Sequence, residues 1–280
     1  MQLRQTEIDQ FREEGYLFFP ALFSAEETDV LRRAVPDLLS HEGPEVLREE
    51  SDRRAVRLVF GAHFFHDTFR RLSLHPRLLT PSEQLLGSGI HVFQSRFNPK
   101  MGFGGGWGWH QDFNQWHRFD GMKKPRALLT GVFLDDINAC NAPLMVIPGS
   151  QKRGHVAVPD RMEIDNDTIR DMAEEGGIVP IIGPPGSVLF LDCLTVHGST
   201  QNVSPWSRWI YYFLYNSVEN QEINRRRDVF YCDTDFTPLE ALPDDCLLAP
   251  AIRTPASGTV PLASSAHPNA AERMEPTQPI

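Results

Sequence analysis

Residues 90–98 read "IHVFQSRFN", and Ile90, Val92, Gln94, Arg96 and Asn98 fall on alternate positions. That period of two belongs to an extended strand, in which every second side chain shares a face. Gln94, Arg96 and Asn98 then line one face together. A polar strand face borders either solvent or a polar cavity inside a barrel, and the choice between the two decides how the rest of the chain is read.

Upstream the pattern is helical. Thr6 precedes "EIDQFREEG", stopped by Gly15, and Ser24 precedes "AEETDVLRRAVPDLL" with Glu26 and Glu27 in its first turn, where a helix dipole favours acids. Pro36 is expected to kink that second helix or end it early. "HPRLLTPSEQLLG" (75–87) gives a further helix closed by Gly87, so the first ninety residues are expected to be largely helical, apart from a short strand in "YLFFPALF" with a turn at Pro20. Downstream, "ALLTGVFL" (127–134), "PLMVIP" (143–148), "GSVLFLD" (186–192) and "RWIYYFLYN" (208–216) read as short strands between Pro and Gly turns, the layout of a sandwich or jelly roll. Residues 151–180 are charged and partly helical and fit an insertion or lid. From about Pro250 the chain is rich in Pro, Ala, Ser and Thr without apolar periodicity, as expected of a loosely ordered tail. The expected organisation is one domain over residues 1–249, helical over 1–88 and β-rich over 89–249, followed by the tail 250–280.

A hydrophobic fraction of 41% supports a sizeable core, and a net charge of −10 argues against nucleic-acid or anionic-membrane partners, which need clustered Lys and Arg. Cys140, Cys193, Cys232 and Cys246 are widely spaced with no CxxC pair, a pattern of reduced thiols. The polar start "MQLRQTEIDQF" is unlike a secretory signal. No apolar run reaches the roughly 18 residues of a membrane-spanning helix. A cytoplasmic protein with a small-molecule partner is expected, its oligomeric state unspecified.

The chemistry concentrates in "WGWHQDFNQW" (107–116). His110-x-Asp112, read as alternate residues of a strand, presents two ligands to one face, although alone this is equally the pattern of a hydrogen-bonded polar pair. His197, 87 positions on in "GSVLFLDCLTVHGS", supplies a third ligand. Two histidines and a carboxylate make a facial triad that leaves open positions on iron(II). A 2-oxo acid bound there needs a cation for its far carboxylate; Arg208 stands eleven residues after His197, and a guanidinium grips carboxylate bidentately. Ser199 offers a hydroxyl. Trp107, Trp109 and Trp116 are candidates for an aromatic wall or for plain core.

Taken with "QSRFN", "PLMVIPGSQKRG" and "HGSTQNVSPWSR", these stretches resemble the phytanoyl-CoA dioxygenase superfamily of iron(II)/2-oxoglutarate oxygenases, within it the bacterial hydroxylases of free amino acids (proline and leucine hydroxylases) and ectoine hydroxylase. The resemblance runs from "FREEGYLFFPALFSAEE" to about residue 243. It implies a mainly β fold with flanking helices, a cupin-like double-stranded β-helix or jelly roll. It further implies iron ligation by His110, Asp112 and His197, and 2-oxoglutarate contacts from Arg208, Ser199, Asn98 and Arg96. Substrate contacts follow at Gln94, Trp107, Trp116, Tyr212, Leu191 and, through a looser match in "RRRDVFYCD", Arg227. Trp107 and Gln111 resemble the proline and leucine enzymes; the ectoine enzymes have an aromatic residue where this chain has Leu191 and Phe where it has Tyr212. The carboxylate at 112 fits hydroxylation rather than halogenation.

Three activities fit these residues. The first is O2-dependent hydroxylation of an unactivated C–H in a free amino acid or similar solute, releasing succinate and CO2, with ascorbate as assay reductant. The second is hydroxylation, desaturation or epoxidation of a larger natural-product intermediate, and the third a non-catalytic metal-binding sensor. The other histidines lack partners at ligand spacing, with His117 nearest the site. "GFGGGWG" lacks the strand–GxGxxG–helix context of a nucleotide loop. Asp135-Asp136 reads as a turn and Cys193 as a small buried residue.

Overall fold

Capping chemistry sets where the early helices begin. In the computed structural model, which describes residues 1–49, 54–156 and 161–250, Ser24 accepts a hydrogen bond from the Glu27 N–H while Glu27 accepts one from the Ser24 N–H. This reciprocal box satisfies two donors that a helix start leaves open. Helix α1 (Gln5–Glu14) ends at Gly15, which adopts φ 81°, a left-handed conformation that glycine enters without steric cost. Strand β1 (Tyr16–Phe19) and helix α2 (Ala25–Ser40) follow. Contrary to expectation, Pro36 lies inside α2, which continues to Ser40. The lost backbone bond is offset by packing, because Leu31, Val35 and Leu38 are all fully buried on one helix face.

The expectation of a largely helical first ninety residues needs a second correction. Strands β2 (Val46–Arg48) and β3 (Val56–Phe60) precede the short helices α3 (Ala62–Phe65), α4 (Asp67–Ser73) and α5 (Pro76–Leu86). Both strands are too short to show a period. Pairing fixes β3, Val59 lying opposite Phe97 and Phe60 opposite Arg96 on the next strand, β4 (Ile90–Lys100).

The remaining elements are β5 (Trp107–His110), α6 (Asp112–Asp120), β6 (Ala127–Phe133), β7 (Leu144–Val146), a 3-10 turn (Ser150–Arg153) and α7 (Asn166–Gly176). Four strands complete the order: β8 (Val179–Ile181), β9 (Val188–Asp192), β10 (His197–Ser199) and β11 (Arg208–Ser217). They form a seven-stranded sheet, β1-β9-β6-β11-β4-β3-β2, and a four-stranded sheet, β5-β10-β7-β8, with every pairing antiparallel. The architecture is a double-stranded β-helix with helices outside the larger sheet.

Strand β11 shows how the sheet divides its two faces. Tyr211, Phe213 and Tyr215 join the core under the helices with Leu31, Phe69 and Leu78. Ile210, Tyr212 and Leu214 join a second core, between the sheets, with Val146, Ile181 and Trp116. Opposite these inner residues on β4 stand Asn98, Arg96 and Gln94, in register with Ile210, Tyr212 and Leu214. The polar face of β4 is therefore an interior wall. Among the described residues no helix is long and apolar enough to cross a membrane. Met1–Ala249 make one compact unit; the expected tail, 251–280, and part of the expected insertion, 157–160, lie outside the described residues.

Candidate metal centre and co-substrate pocket

His110 closes β5, Asp112 opens α6 and His197 opens β10. The reading of His110 and Asp112 as alternate residues of one strand is thus replaced by a strand-to-helix corner. The corner places the Asp112 carboxylate in the first turn of α6, where the helix dipole favours negative charge. Pairing of His197 with His110 across the β10–β5 ladder brings in the third side chain.

One donor atom from each of the three residues lies within 4.8 Å of the others. His110 Nε2 is 3.7 Å from Asp112 Oδ1, and His197 Nε2 is 3.9 Å from Oδ2. Each imidazole donates its Nδ1–H to a carbonyl, His110 to Gly108 at 2.7 Å and His197 to Thr195 at 2.9 Å. A carbonyl only accepts, so Nδ1 carries the proton and Nε2 turns an unshared pair toward the cluster, as metal-binding histidines do. Burial, with His110 alongside, pushes His197 down to about 4, so it is neutral near pH 7. Burial alone would raise the Asp112 carboxyl, but the Arg96 guanidinium holds it well below the usual carboxylate range. Arg96 contributes directly, its Nη2 lying 3.2 and 3.0 Å from the two Asp112 oxygens. Two imidazole nitrogens and one ionised carboxylate are a donor set suited to iron(II).

Beyond the triad lie two buried cations. Arg208, 1% exposed, donates from Nη1 to the Tyr212 hydroxyl at 3.3 Å, and its buried Nε has no hydrogen-bond partner. Lys100, 4% exposed and opposite Arg208 in the sheet, donates to Ser199 Oγ and the Thr200 carbonyl, both at 2.8 Å. Burial, with Arg208 and Arg57 nearby, pushes the Lys100 amine down to about 6. Neither cation has a carboxylate within ion-pair distance among the described residues. Sequence reasoning missed Lys100 although the signal was there: the alternation Gln94, Arg96, Asn98 continues to 100 on the same face.

The other expected residues fall at several places. Asn98 sits on the inner wall, and Ser199 engages Lys100. Gln94 accepts from Arg96 Nη1 at 3.3 Å and donates to the Tyr231 carbonyl at 2.7 Å, while Tyr212 spans Arg208 and the Arg96 guanidinium. Trp107 lies 4.0 Å beneath the Arg57 guanidinium and packs with Leu58, Phe60 and Phe230. Leu191 and Trp116 are fully buried in the inner core, Trp116 edge-on to Phe93. Arg227 is held by both oxygens of Asp120. Trp109 packs with Ile147, Ile164 and Val196 in a separate cluster.

The sequence profile of the phytanoyl-CoA dioxygenase family matches residues 11–210. Ectoine dioxygenase of Bordetella bronchiseptica is 37% identical over 242 residues, covering 78% of this chain and 77% of its own. L-proline trans-4-hydroxylase of Streptomyces griseoviridis is 32% identical over 257 residues, covering 85% and 96%. Overall identity is thus higher with this ectoine enzyme than with this proline enzyme. The crystal structure of EctD from S. alaskensis with 2-oxoglutarate and 5-hydroxyectoine superposes with a TM-score of 0.78 at 30% identity, covering 86% of this chain and 87% of that one. The epimerase SnoN, at 22% identity and a TM-score of 0.66 over 76% of this chain and 83% of its own, shares the fold.

Proposed function

The chain belongs to the phytanoyl-CoA dioxygenase family, and from that membership we propose that it hydroxylates a free amino acid or amino-acid-like solute, using iron(II), 2-oxoglutarate and O2. We assign the activity to residues 1–249 as one domain. The observation that carries this reading is the convergence of His110 Nε2, His197 Nε2 and the Asp112 carboxylate within 4.8 Å, each imidazole already fixed through Nδ1. These three residues hold the metal. Bound iron(II) supplies the oxidation, coupling decarboxylation of 2-oxoglutarate to succinate and CO2 with transfer of one atom of O2 into a C–H bond.

The chain's own residues do the rest. Arg208 and Lys100 hold the far carboxylate of 2-oxoglutarate, with Ser199 orienting the Lys100 amine and Tyr212 the Arg208 guanidinium. Arg96 keeps Asp112 ionised. Asn98 on β4 contacts 2-oxoglutarate, Gln94 on β4 and Trp107 on β5 face the substrate, and the apolar side chains around Trp107 keep water out. The substrate class is supported by relatives named for ectoine and L-proline. A reducing cytoplasm suits the four cysteines, all unpaired.

The deciding experiment incubates the protein with iron(II), ascorbate, 2-oxoglutarate and each of the amino acids, pipecolate and ectoine. Succinate and a product heavier by one oxygen atom, seen by mass spectrometry, are expected from one of them. Absence of succinate with every candidate overturns the proposal. Asp112→Ala and His197→Ala are expected to lose turnover to background with unchanged circular dichroism, and a variant that stays active overturns the ligand assignment.

A further inference from the structure

Gln111 stands between two of the three metal-binding side chains, yet its amide is committed to backbone elsewhere. The side chain is 1% exposed. Its Nε2 donates to the Gly154 carbonyl at 2.9 Å and to the Leu194 carbonyl at 2.6 Å, and its Oε1 accepts from the Val156 N–H at 2.9 Å. Both donors and one of the two acceptor sites of the amide are therefore used. The partners belong to two distant stretches. Leu194 lies in the turn three residues before His197, and Gly154–Val156 follow the 3-10 turn.

Two further bonds join the same parts. Ile164 N–H donates to the Trp109 carbonyl at 2.8 Å, and His155 Nε2 lies 3.2 Å from Asn114 Oδ1. Trp109, Val156, Ile147, Ile164 and Val196 pack together in the space between. Trp109, Gln111 and Asn114 are thus each tied to residues 154–164; the Phe113 N–H donates to the Cys193 carbonyl at 3.1 Å, and Gln111 alone of these residues reaches both that turn and residues 154–156 through its side chain.

We propose that Gln111 is a positioning residue that sets the mutual geometry of the three metal-binding side chains, by tying the His110–Asp112 corner to the turn before His197 and to residues 154–156. The inference rests on the ligand assignment above. A histidine's orientation depends on what holds its backbone and its second nitrogen, and outer partners of this kind typically alter metal affinity by roughly 10- to 100-fold. Here the Thr195 carbonyl that orients His197 lies next to the Leu194 carbonyl that Gln111 holds.

The test uses cobalt(II) as a spectroscopic probe on the full-length protein. Gln111→Met keeps the length of the side chain and removes all three bonds. Gln111→Glu keeps an acceptor for Val156 and removes both donors. Each variant is expected to bind cobalt(II) about 10- to 100-fold more weakly, with a shifted ligand-field spectrum and more succinate formed per hydroxylated product. Ser24→Ala, which removes a remote helix cap, serves as the control and is expected to lower the melting temperature without moving the cobalt spectrum. If both Gln111 variants melt earlier but bind cobalt(II) with wild-type affinity and spectrum, Gln111 only packs the core and the proposal falls. Should Gln111→Met fail to fold, Gln111→Glu decides alone by the same two readouts. Failure of the ligand assignment looks different, because His197→Ala would then also bind cobalt(II) like the wild type.

Discussion

Arg208 is a cation and Lys100 an amine that can become one, and among the described residues neither has a carboxylate within ion-pair distance, an arrangement that favours the arrival of an anion. A dicarboxylate is such an anion. Replacing Arg208 with Lys keeps a charge but loses the fork that grips two oxygens; a charge-assisted hydrogen bond contributes about 1.5–3 kcal/mol, so the KM for 2-oxoglutarate is expected to rise about tenfold or more. Lys100 adds a pH dependence. Its amine is pushed down to about 6 from an ordinary 10.5, so in the free protein it is neutral at pH 8, and an incoming dianion draws a proton onto it. Binding of 2-oxoglutarate is therefore expected to take up a proton above about pH 6, the affinity falling as pH rises from there. Below pH 6 the amine is already charged and the uptake disappears. Titration calorimetry in two buffers of different ionisation enthalpy measures the uptake, and Lys100→Met is expected to abolish it. A wild type with no proton uptake at pH 8 contradicts this role.

Among the elements, the pairing of β6 with β11 sets the space beside Tyr212. Gly131 lies opposite Tyr212, and a methyl group placed on it would come within 2.9 Å of the Tyr212 ring. The Tyr212 hydroxyl in turn meets Arg208. Gly131→Ala is expected to destabilise the protein by about 1–3 kcal/mol through overpacking, and to raise the KM for 2-oxoglutarate several-fold by moving the ring. Urea unfolding and steady-state kinetics check the two effects separately. The start of α2 was readable because its cap at Ser24 is local, whereas α1 begins at Gln5 with Arg4 at its cap, ahead of the expected Thr6; β4 was readable because its alternation is long. Strands β2 and β3 were not, since three and five residues carry too little pattern and only the pairing of β3 with β4, and of β2 with β3, defines them. Asp112 was misplaced onto a strand for a related reason. A two-residue spacing fits both a strand and a strand-to-helix corner, and only the helix that follows distinguishes them.

Across the whole molecule, one arginine ties distant parts of the chain together. Arg77 at the start of α5 pairs with both oxygens of Glu27 on α2, at 2.9 and 3.0 Å, with Asp244 at 2.8 and 2.6 Å, and with the Leu22 carbonyl at 3.0 Å. Glu27 is buried, so Arg77→Met leaves an unpaired interior charge and is expected to cost about 3–5 kcal/mol, or roughly 10 °C in melting temperature. Burial raises the Glu27 carboxyl, but Arg77 and the Ser24 cap outweigh it and hold it below its ordinary 4.5. A depressed carboxyl stabilises the fold above its unfolded value and loses that contribution as pH falls through its folded value. The gap in melting temperature between wild type and Arg77→Met is accordingly expected to narrow from pH 7 to pH 4, which scanning fluorimetry follows; a constant gap contradicts the charge argument. What the sequence by itself determined was the content of the candidate site: His110, Asp112, His197 and Arg208, their spacing, and the polar face of β4. Helix caps and strand alternation are physical effects within a few residues, and a motif's chemistry travels with its side chains. The tertiary structure alone decided that the β4 face is an inner wall and that Lys100 lies buried beside Arg208. It alone decided that Gln111 reaches both Leu194 and Gly154, and that Arg227 is taken by Asp120. Each of those depends on register or burial between residues far apart in the chain, and neither is encoded in any short stretch.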